Sequence, residues 1–100
     1  MSEGHPEFLK ILQDIGSMHK KKGADYGVPD DIFLNIRQSM DWGVQPWVGS
    51  MIRAGDKVVR LKAAASGSEL KNEGVEDSLM DLAAYAIIAL VLYREGHRDE

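Results

Sequence analysis

The sequence predicts an all-α protein: a chain of four helices in which the two long C-terminal helices form an antiparallel hairpin, packed as an oligomeric helical bundle. Apolar residues recur at the three- and four-residue spacing of a helix in four successive segments, and no segment shows the alternation of a half-buried strand. Glycine and proline mark the breaks between these segments. A chain of 100 residues, 44% of them hydrophobic, can form one core, so we expect a single domain over 1–100 with frayed tails at 1–5 and 96–100.

The first predicted helix begins near Pro6, a residue that suits the first turn of a helix. Its apolar residues run at helical spacing from Phe8 to Met18. Three lysines at 20–22 followed by Gly23 are typical of a helix C-terminus, so we expect the helix to end there.

A loop and a short second helix are expected next. Turn-forming residues fill 24–29, and Pro29 disfavours helical geometry at the residue before it. Asp30 can cap the following helix, whose apolar positions extend to Trp42, and Gly43 is suited to end it.

Two long helices are predicted in the C-terminal half. The third starts at Pro46, carries apolar residues along one face and fades at 65–67. The polar segment 66–74 is the expected connection. The fourth runs from Val75 to Glu95, with acidic residues near its positive end. A short connection between two long helices predicts an antiparallel hairpin.

The fourth helix is the element that predicts an oligomer. It has no charged residue from Leu82 to Tyr93, and apolar side chains surround its axis over this stretch. The stretch is too short to cross a membrane, which takes about 20 residues, so we expect a buried core helix and no membrane partner. In a monomeric bundle one face of the helix would point to solvent. We therefore expect a second copy of the chain to cover that face.

Composition narrows the classes of function. Twelve basic residues stand against 16 acidic ones, a formal net charge of −4, so no overall positive field favours nucleic acid as a partner. There is no cysteine, which excludes disulfides, thiolate metal sites and a cysteine nucleophile. Residues 1–10 do not follow the pattern of a secretory signal, so a cytoplasmic location is expected.

The third helix carries a charged stripe. Arg53, Asp56, Lys57 and Arg60 follow one another at three- and four-residue spacing, which places all four within an arc of roughly 100° opposite the apolar face. One interpretation is a solvated face with ion pairs. The other is a phosphate-binding site, because guanidinium groups match phosphate oxygens and a lysine adds a compact positive charge.

Two carboxylates, Asp77 and Asp81, project from one face of the fourth helix, with Tyr85 one turn further on. Among apolar neighbours the Asp81 carboxylate needs a partner. That partner is either a cation of the third helix, in an ion pair across the hairpin, or a metal ion or ligand. The best candidates in the sequence for a set of oxygen ligands to Mg²⁺ are Asp56, Asp77 and Asp81.

Aromatic residues near the predicted breaks leave further alternatives open. Asp25 and Tyr26 could grip a polar ligand or stack a base, or the aspartate could bond its own backbone while the tyrosine packs inward. Trp42 and Trp47 flank the break at Gly43, where core packing or a subunit contact is favoured over nucleotide stacking.

Four motifs, taken in order, resemble a known family. They are Lys22-Gly-Ala-Asp25-Tyr26-Gly27, then Phe33-Leu-Asn35, then Arg53-Ala-Gly-Asp56-Lys57-Val-Val-Arg60-Leu61, then Glu76-Asp77-Ser-Leu-Met-Asp81-Leu-Ala-Ala-Tyr85. In this order they are similar to the small phage and prophage proteins with a nucleotide modification associated domain. The likeness covers roughly residues 20–93. More distantly, it resembles the all-α nucleotide pyrophosphohydrolases of the MazG and dimeric dUTPase type.

The resemblance implies a helical oligomer that binds a nucleotide and Mg²⁺. The ligand-binding residues that it implies are Lys22, Asp25, Tyr26, Asn35, Arg53, Lys57, Arg60 and Tyr85. It implies Asp77 and Asp81 as metal ligands, and Asp56 and Asp81 as catalytic carboxylates. The hydrolases carry Glu-Glu-x-x-Glu on one helix and Glu-x-x-Asp on the next. This chain has Asp56 in place of the first motif, and Asp77 and Asp81 at a changed spacing in place of the second.

Three functions follow as hypotheses, each in the host cytoplasm if the chain is encoded by a phage. The first is a nucleotide-binding protein that hydrolyses a nucleoside triphosphate between its α- and β-phosphates with a magnesium-bound water. The second sequesters a nucleotide, or another phosphorylated small molecule, without turnover. The third is a module that binds a host protein through Trp42, Trp47 or the segment 66–74 and has no small-molecule site.

Overall fold

All elements of the chain that are described are helical. The computed structural model describes residues 3–26, 33–69 and 74–97. Their elements are α1 (Pro6–Tyr26), α2 (Leu34–Arg37), the 3₁₀ helix Gln38–Trp42, α3 (Pro46–Ala65) and α4 (Val75–Gly96). The predicted all-α class is confirmed for these residues. Within the same ranges, every helix is too short or too polar to span a membrane.

The chain divides into two compact units, Met1–Leu34 and Asn35–Glu100; the single domain expected over 1–100 stays a prediction. In the first unit α1 begins at Pro6 as expected but continues through Gly23 to Tyr26. The predicted end at Gly23 and the start of the predicted loop are therefore wrong. A glycine inside a helix costs only about 1 kcal/mol relative to alanine, so it need not end the helix. The expected cap at Asp30 lies outside the described residues.

The predicted second helix is split into one α-helical turn and a 3₁₀ helix that ends at Trp42. Gly43 ends it as expected, since its φ of 76° is left-handed and its N–H donates to the Met40 carbonyl at 3.0 Å. The Ser39 hydroxyl donates to the Val44 carbonyl at 3.1 Å. These bonds fix the conformation of the chain between the 3₁₀ helix and α3.

The two long helices agree closely with the prediction. Pro46 occupies the first turn of α3, and the helix ends at Ala65. Helix α4 starts at Val75 after an extended Gly74, and it ends one residue later than expected, at Gly96.

Three side-chain contacts show that α3 and α4 run in opposite directions. They join Trp47 to Tyr93, Ser50 to Tyr85, and Lys57 to Asp81. The residue number on α4 falls as the number on α3 rises, so the pair forms the predicted antiparallel hairpin. Association of this hairpin into an oligomer stays a prediction.

Small side chains occupy the centre of the hairpin. Ser50 and Ser78 are 0% exposed, and Ala54 and Ala89 are 1% and 6% exposed. The Ser50 hydroxyl donates to the Tyr85 carbonyl at 2.8 Å, so the buried hydroxyl is paired. Side chains of this size let the two helices approach closely, which brings charged side chains from both within reach of each other.

Candidate functional site

The charged stripe of α3 meets the carboxylates of α4. Lys57 Nζ lies 3.1 Å from Asp81 Oδ2, and the two side chains are only 15% and 21% exposed. The sequence left either a cation of the third helix or a metal ion or ligand as the partner of Asp81. The ion pair with a cation of that helix is therefore confirmed. At about 100° per residue, the other stripe residues share an arc with Lys57, and Asp77 lies one turn before Asp81. We name this surface the charged side; it consists of Arg53, Asp56, Lys57, Arg60, Asp77 and Asp81.

The two arginines of the charged side have no carboxylate partner within the part of the chain that is described. Arg53 is exposed and Arg60 is half-buried. Neither forms an ion pair there, although Asp56 is three residues from one and four from the other. Two guanidinium groups are therefore available to an anion beside the Lys57–Asp81 pair.

The remaining predicted ligand-binding residues are spread more widely. Asn35 is exposed in α2, and Tyr85 is half-buried on α4. Lys22 is exposed on α1, in the first unit. Asp25 and Tyr26 lie in the last turn of α1, and their side chains are outside the described part of the structure. Within the second unit, the structure brings Asn35 and Tyr85 to the hairpin that carries the charged side.

A groove joins Asn35 to the charged side. Its volume is about 290 Å³. We name it the tryptophan groove; its lining is Asn35, Ile36, Gln38, Ser39, Trp42, Gly49, Ile52 and Arg53. Trp42 is 87% exposed, so the core packing considered for it does not occur among the residues that the structure describes. Arg53 belongs to both the groove and the charged side.

An aromatic cluster that sequence reasoning missed lies where α3 begins and α4 ends. Trp47 meets Tyr93 edge to face at 5.7 Å between ring centroids, and Tyr93 stacks on His97 at 3.9 Å. Next to them Arg37 donates to Glu95 at 2.8 Å.

The four-residue spacing of Tyr93 and His97 could have indicated that their rings meet on one face of α4. The contact between Tyr93 and Trp47 could not be predicted in this way, because it depends on the antiparallel packing of α3 and α4. The Trp47 indole N–H donates to Gln45 Oε1 at 3.1 Å, and His97 Nδ1 lies 2.8 Å from the Tyr93 carbonyl oxygen. The ring contacts of the cluster join the start of α3 to the end of α4, which indicates a structural role.

Magnesium needs several oxygen ligands, and the described carboxylates do not supply them together. Asp77 and Asp81 are one turn apart on α4, but the Asp81 carboxylate is already in contact with the Lys57 ammonium group. No group of three or more histidine, aspartate or glutamate side chains in residues 3–26, 33–69 and 74–97 is placed to hold a metal ion. These side chains alone do not make a magnesium site, and magnesium binding stays a prediction of the resemblance.

Comparison with known proteins gives no match to a family model, to a curated protein or to a solved structure. The likeness of the four motifs to a nucleotide-related family therefore stays a prediction. What the protein does is inferred from the charged side and the tryptophan groove.

Proposed function

We propose that the protein binds a nucleotide through its phosphates on the charged side and does not hydrolyse it. The observation that supports this proposal is the pair Arg53 and Arg60, which project from one face of α3 and have no carboxylate partner in the described ranges. The two residues are seven positions apart, roughly 10 Å along the helix axis. Two guanidinium groups at this spacing can hold different phosphate groups of one ligand.

Phosphate is an anion that these groups can bind well. Each guanidinium can form two parallel hydrogen bonds to phosphate oxygens, and such charge-assisted bonds are stronger than neutral ones. The Lys57 ammonium group adds positive charge next to them while it remains paired with Asp81. The whole chain has a formal net charge of −4, so attraction of an anion has to come from a local cluster of this kind.

Binding without turnover is favoured by the state of Asp81. A catalytic or metal-binding role requires its carboxylate to hold a metal ion or to receive a proton from water. In the structure the Asp81 carboxylate is held by the Lys57 ammonium group, and a divalent cation would have to displace that group. A sequestering protein needs only the cations of the charged side.

The first prediction concerns the two arginines. Arg53→Gln and Arg60→Gln should each weaken the binding of nucleoside triphosphates about tenfold, since each removes a charge-assisted contact of roughly 1.5 kcal/mol. Titration calorimetry of a panel of four nucleoside triphosphates, with and without Mg²⁺, measures this. Bound ligand should also raise the melting temperature of the protein.

Arg94→Gln is the matched control, because Arg94 is an exposed arginine in the last turn of α4, on the outer edge of the hairpin. It should leave binding unchanged. If no nucleotide binds, or if Arg94→Gln weakens binding as much as Arg60→Gln does, the proposal is wrong. Release of pyrophosphate above a protein-free blank would establish the hydrolytic alternative.

We also infer that the hairpin pairs with a second copy of the chain through its opposite side. Met51, Val58, Leu79 and Tyr93 are 43%, 36%, 49% and 42% exposed. At about 100° per residue, the first two lie opposite the charged stripe of α3, and the last two lie opposite Asp77 and Asp81 on α4. We name these four residues, with Ala86, the apolar side. Pairing of two identical apolar sides gives a closed two-fold dimer, and it leaves both charged sides open to ligand.

The second prediction tests this dimer. Val58→Arg should convert a dimer into a monomer, because it places a charge on the apolar side. Val59→Arg is the matched control: Val59 is 67% exposed, but it points about 100° away from Val58 on the same helix. Light scattering coupled to size-exclusion chromatography gives the mass of each variant. A monomeric unsubstituted protein, or equal dissociation of both variants, would contradict the inference.

A further inference from the structure

The exposed indole of Trp42 has no role in phosphate binding on the charged side. Its 87% exposure is the highest among the large apolar side chains that are described. The ring is nevertheless on a fixed support, since Gly43 closes the 3₁₀ helix in a left-handed conformation and Ser39 bonds the Val44 carbonyl. Leaving so large an apolar surface in water is unfavourable. A ring carried on a fixed backbone beside a groove is well placed to bind a flat ligand.

We propose that Trp42 stacks on the base of the nucleotide, so that the tryptophan groove is the base subsite of the charged side. The inference rests on the proposed function, because the groove and the charged side share Arg53. A ligand with a phosphate group on Arg53 has one end at the groove. Its other phosphates can extend along α3 towards Arg60.

The chemistry of the groove suits a nucleobase. The indole offers a flat surface, and stacking of a base on an aromatic side chain is favourable for every base because each has a π-face. Asn35 and Gln38 line the same groove, and a side-chain amide both donates and accepts hydrogen bonds, as the edge of a base requires. The volume of about 290 Å³ is near the lower end of small-molecule pockets. The ligand class is therefore a nucleoside phosphate and not an inorganic polyphosphate.

The third prediction separates the base from the phosphates. Trp47→Phe leaves Trp42 as the only one of the 2 tryptophans in the chain, so indole emission then reports the groove alone. We expect nucleoside triphosphates to quench this emission, and inorganic tripolyphosphate to bind without quenching it. At least one nucleoside triphosphate should bind about tenfold more tightly than tripolyphosphate, and Trp42→Ala should abolish that difference. Trp42→Phe should retain part of it, since phenylalanine keeps a stacking face.

The outcomes distinguish this inference from the proposed function. One outcome is that nucleotides and tripolyphosphate bind with equal affinity, without quenching of the Trp42 emission, while Arg60→Gln weakens the binding of both. In that case the base subsite is wrong and the phosphate site is retained. If neither ligand binds, the proposed function fails and the base subsite fails with it. Emission that depends on protein concentration but not on nucleotide would show that Trp42 contacts another copy of the chain, which also overturns the base subsite.

Discussion

Asp81→Ala is expected to lower the free energy of unfolding by about 2–3 kcal/mol. The substitution removes the carboxylate 3.1 Å from the Lys57 ammonium group, whose side chain is only 15% exposed. Loss of one partner of a fully buried ion pair costs about 3–5 kcal/mol. We expect less here because both side chains keep some contact with water. Denaturant-induced unfolding with linear extrapolation measures the change.

Two further variants show whether the ion pair causes the loss. Asp77→Ala removes an exposed carboxylate one turn earlier on α4 and should change stability by no more than about 0.5 kcal/mol. Lys57→Met combined with Asp81→Leu removes both charges and should be less destabilising than Asp81→Ala. If Asp81→Ala is as mild as Asp77→Ala, the pair contributes nothing to the fold. A metal-binding role for Asp81, which the fold does not require, would then gain support.

Strong local signals explain why the two long helices could be predicted from the sequence. Pro46 and Gly74 stand at the starts of α3 and α4, and long apolar periodic runs follow them. The end of α1 was mispredicted because three lysines and Gly23 suit a helix end and are also tolerated inside a helix. The split of the second helix was not foreseeable either. The 3₁₀ segment packs with Ser39 against Gly49, ten positions further along the sequence, and periodicity within one segment does not report such a contact.

The candidate site was predictable along each helix but not between helices. Periodicity alone placed Arg53 and Arg60 on one face of α3, whereas three cations were equally plausible partners for Asp81. The choice of Lys57 is set by the register of the antiparallel helices, and the close approach at Ser50 and Ala54 fixes that register. The exposure of Trp42 could not be predicted either, because a tryptophan within an apolar pattern is more often buried than exposed to solvent.

Gly49→Ala is expected to lower the free energy of unfolding by about 1–3 kcal/mol through overpacking. A Cβ atom at this position would lie 2.6 Å from the Ser39 hydroxyl oxygen, 2.7 Å from Ser39 Cβ and 3.3 Å from the Ile36 carbonyl oxygen. Rotation of the Ser39 side chain moves its hydroxyl group but not its Cβ atom. The 3₁₀ helix therefore has to move away from α3, and the hydrogen bond from Ser39 to the Val44 carbonyl is strained or lost.

Gly55→Ala provides the matched control on the same helix. A Cβ atom at Gly55 meets no other atom within 4 Å, so this variant only gains helix propensity and should be more stable by about 0.5–1 kcal/mol. Denaturant-induced unfolding of the two variants should thus give changes of opposite sign. Equal stabilisation by both would mean that the 3₁₀ helix does not pack on Gly49 in solution. The position of Trp42 beside Arg53, on which the base subsite depends, would then have no support.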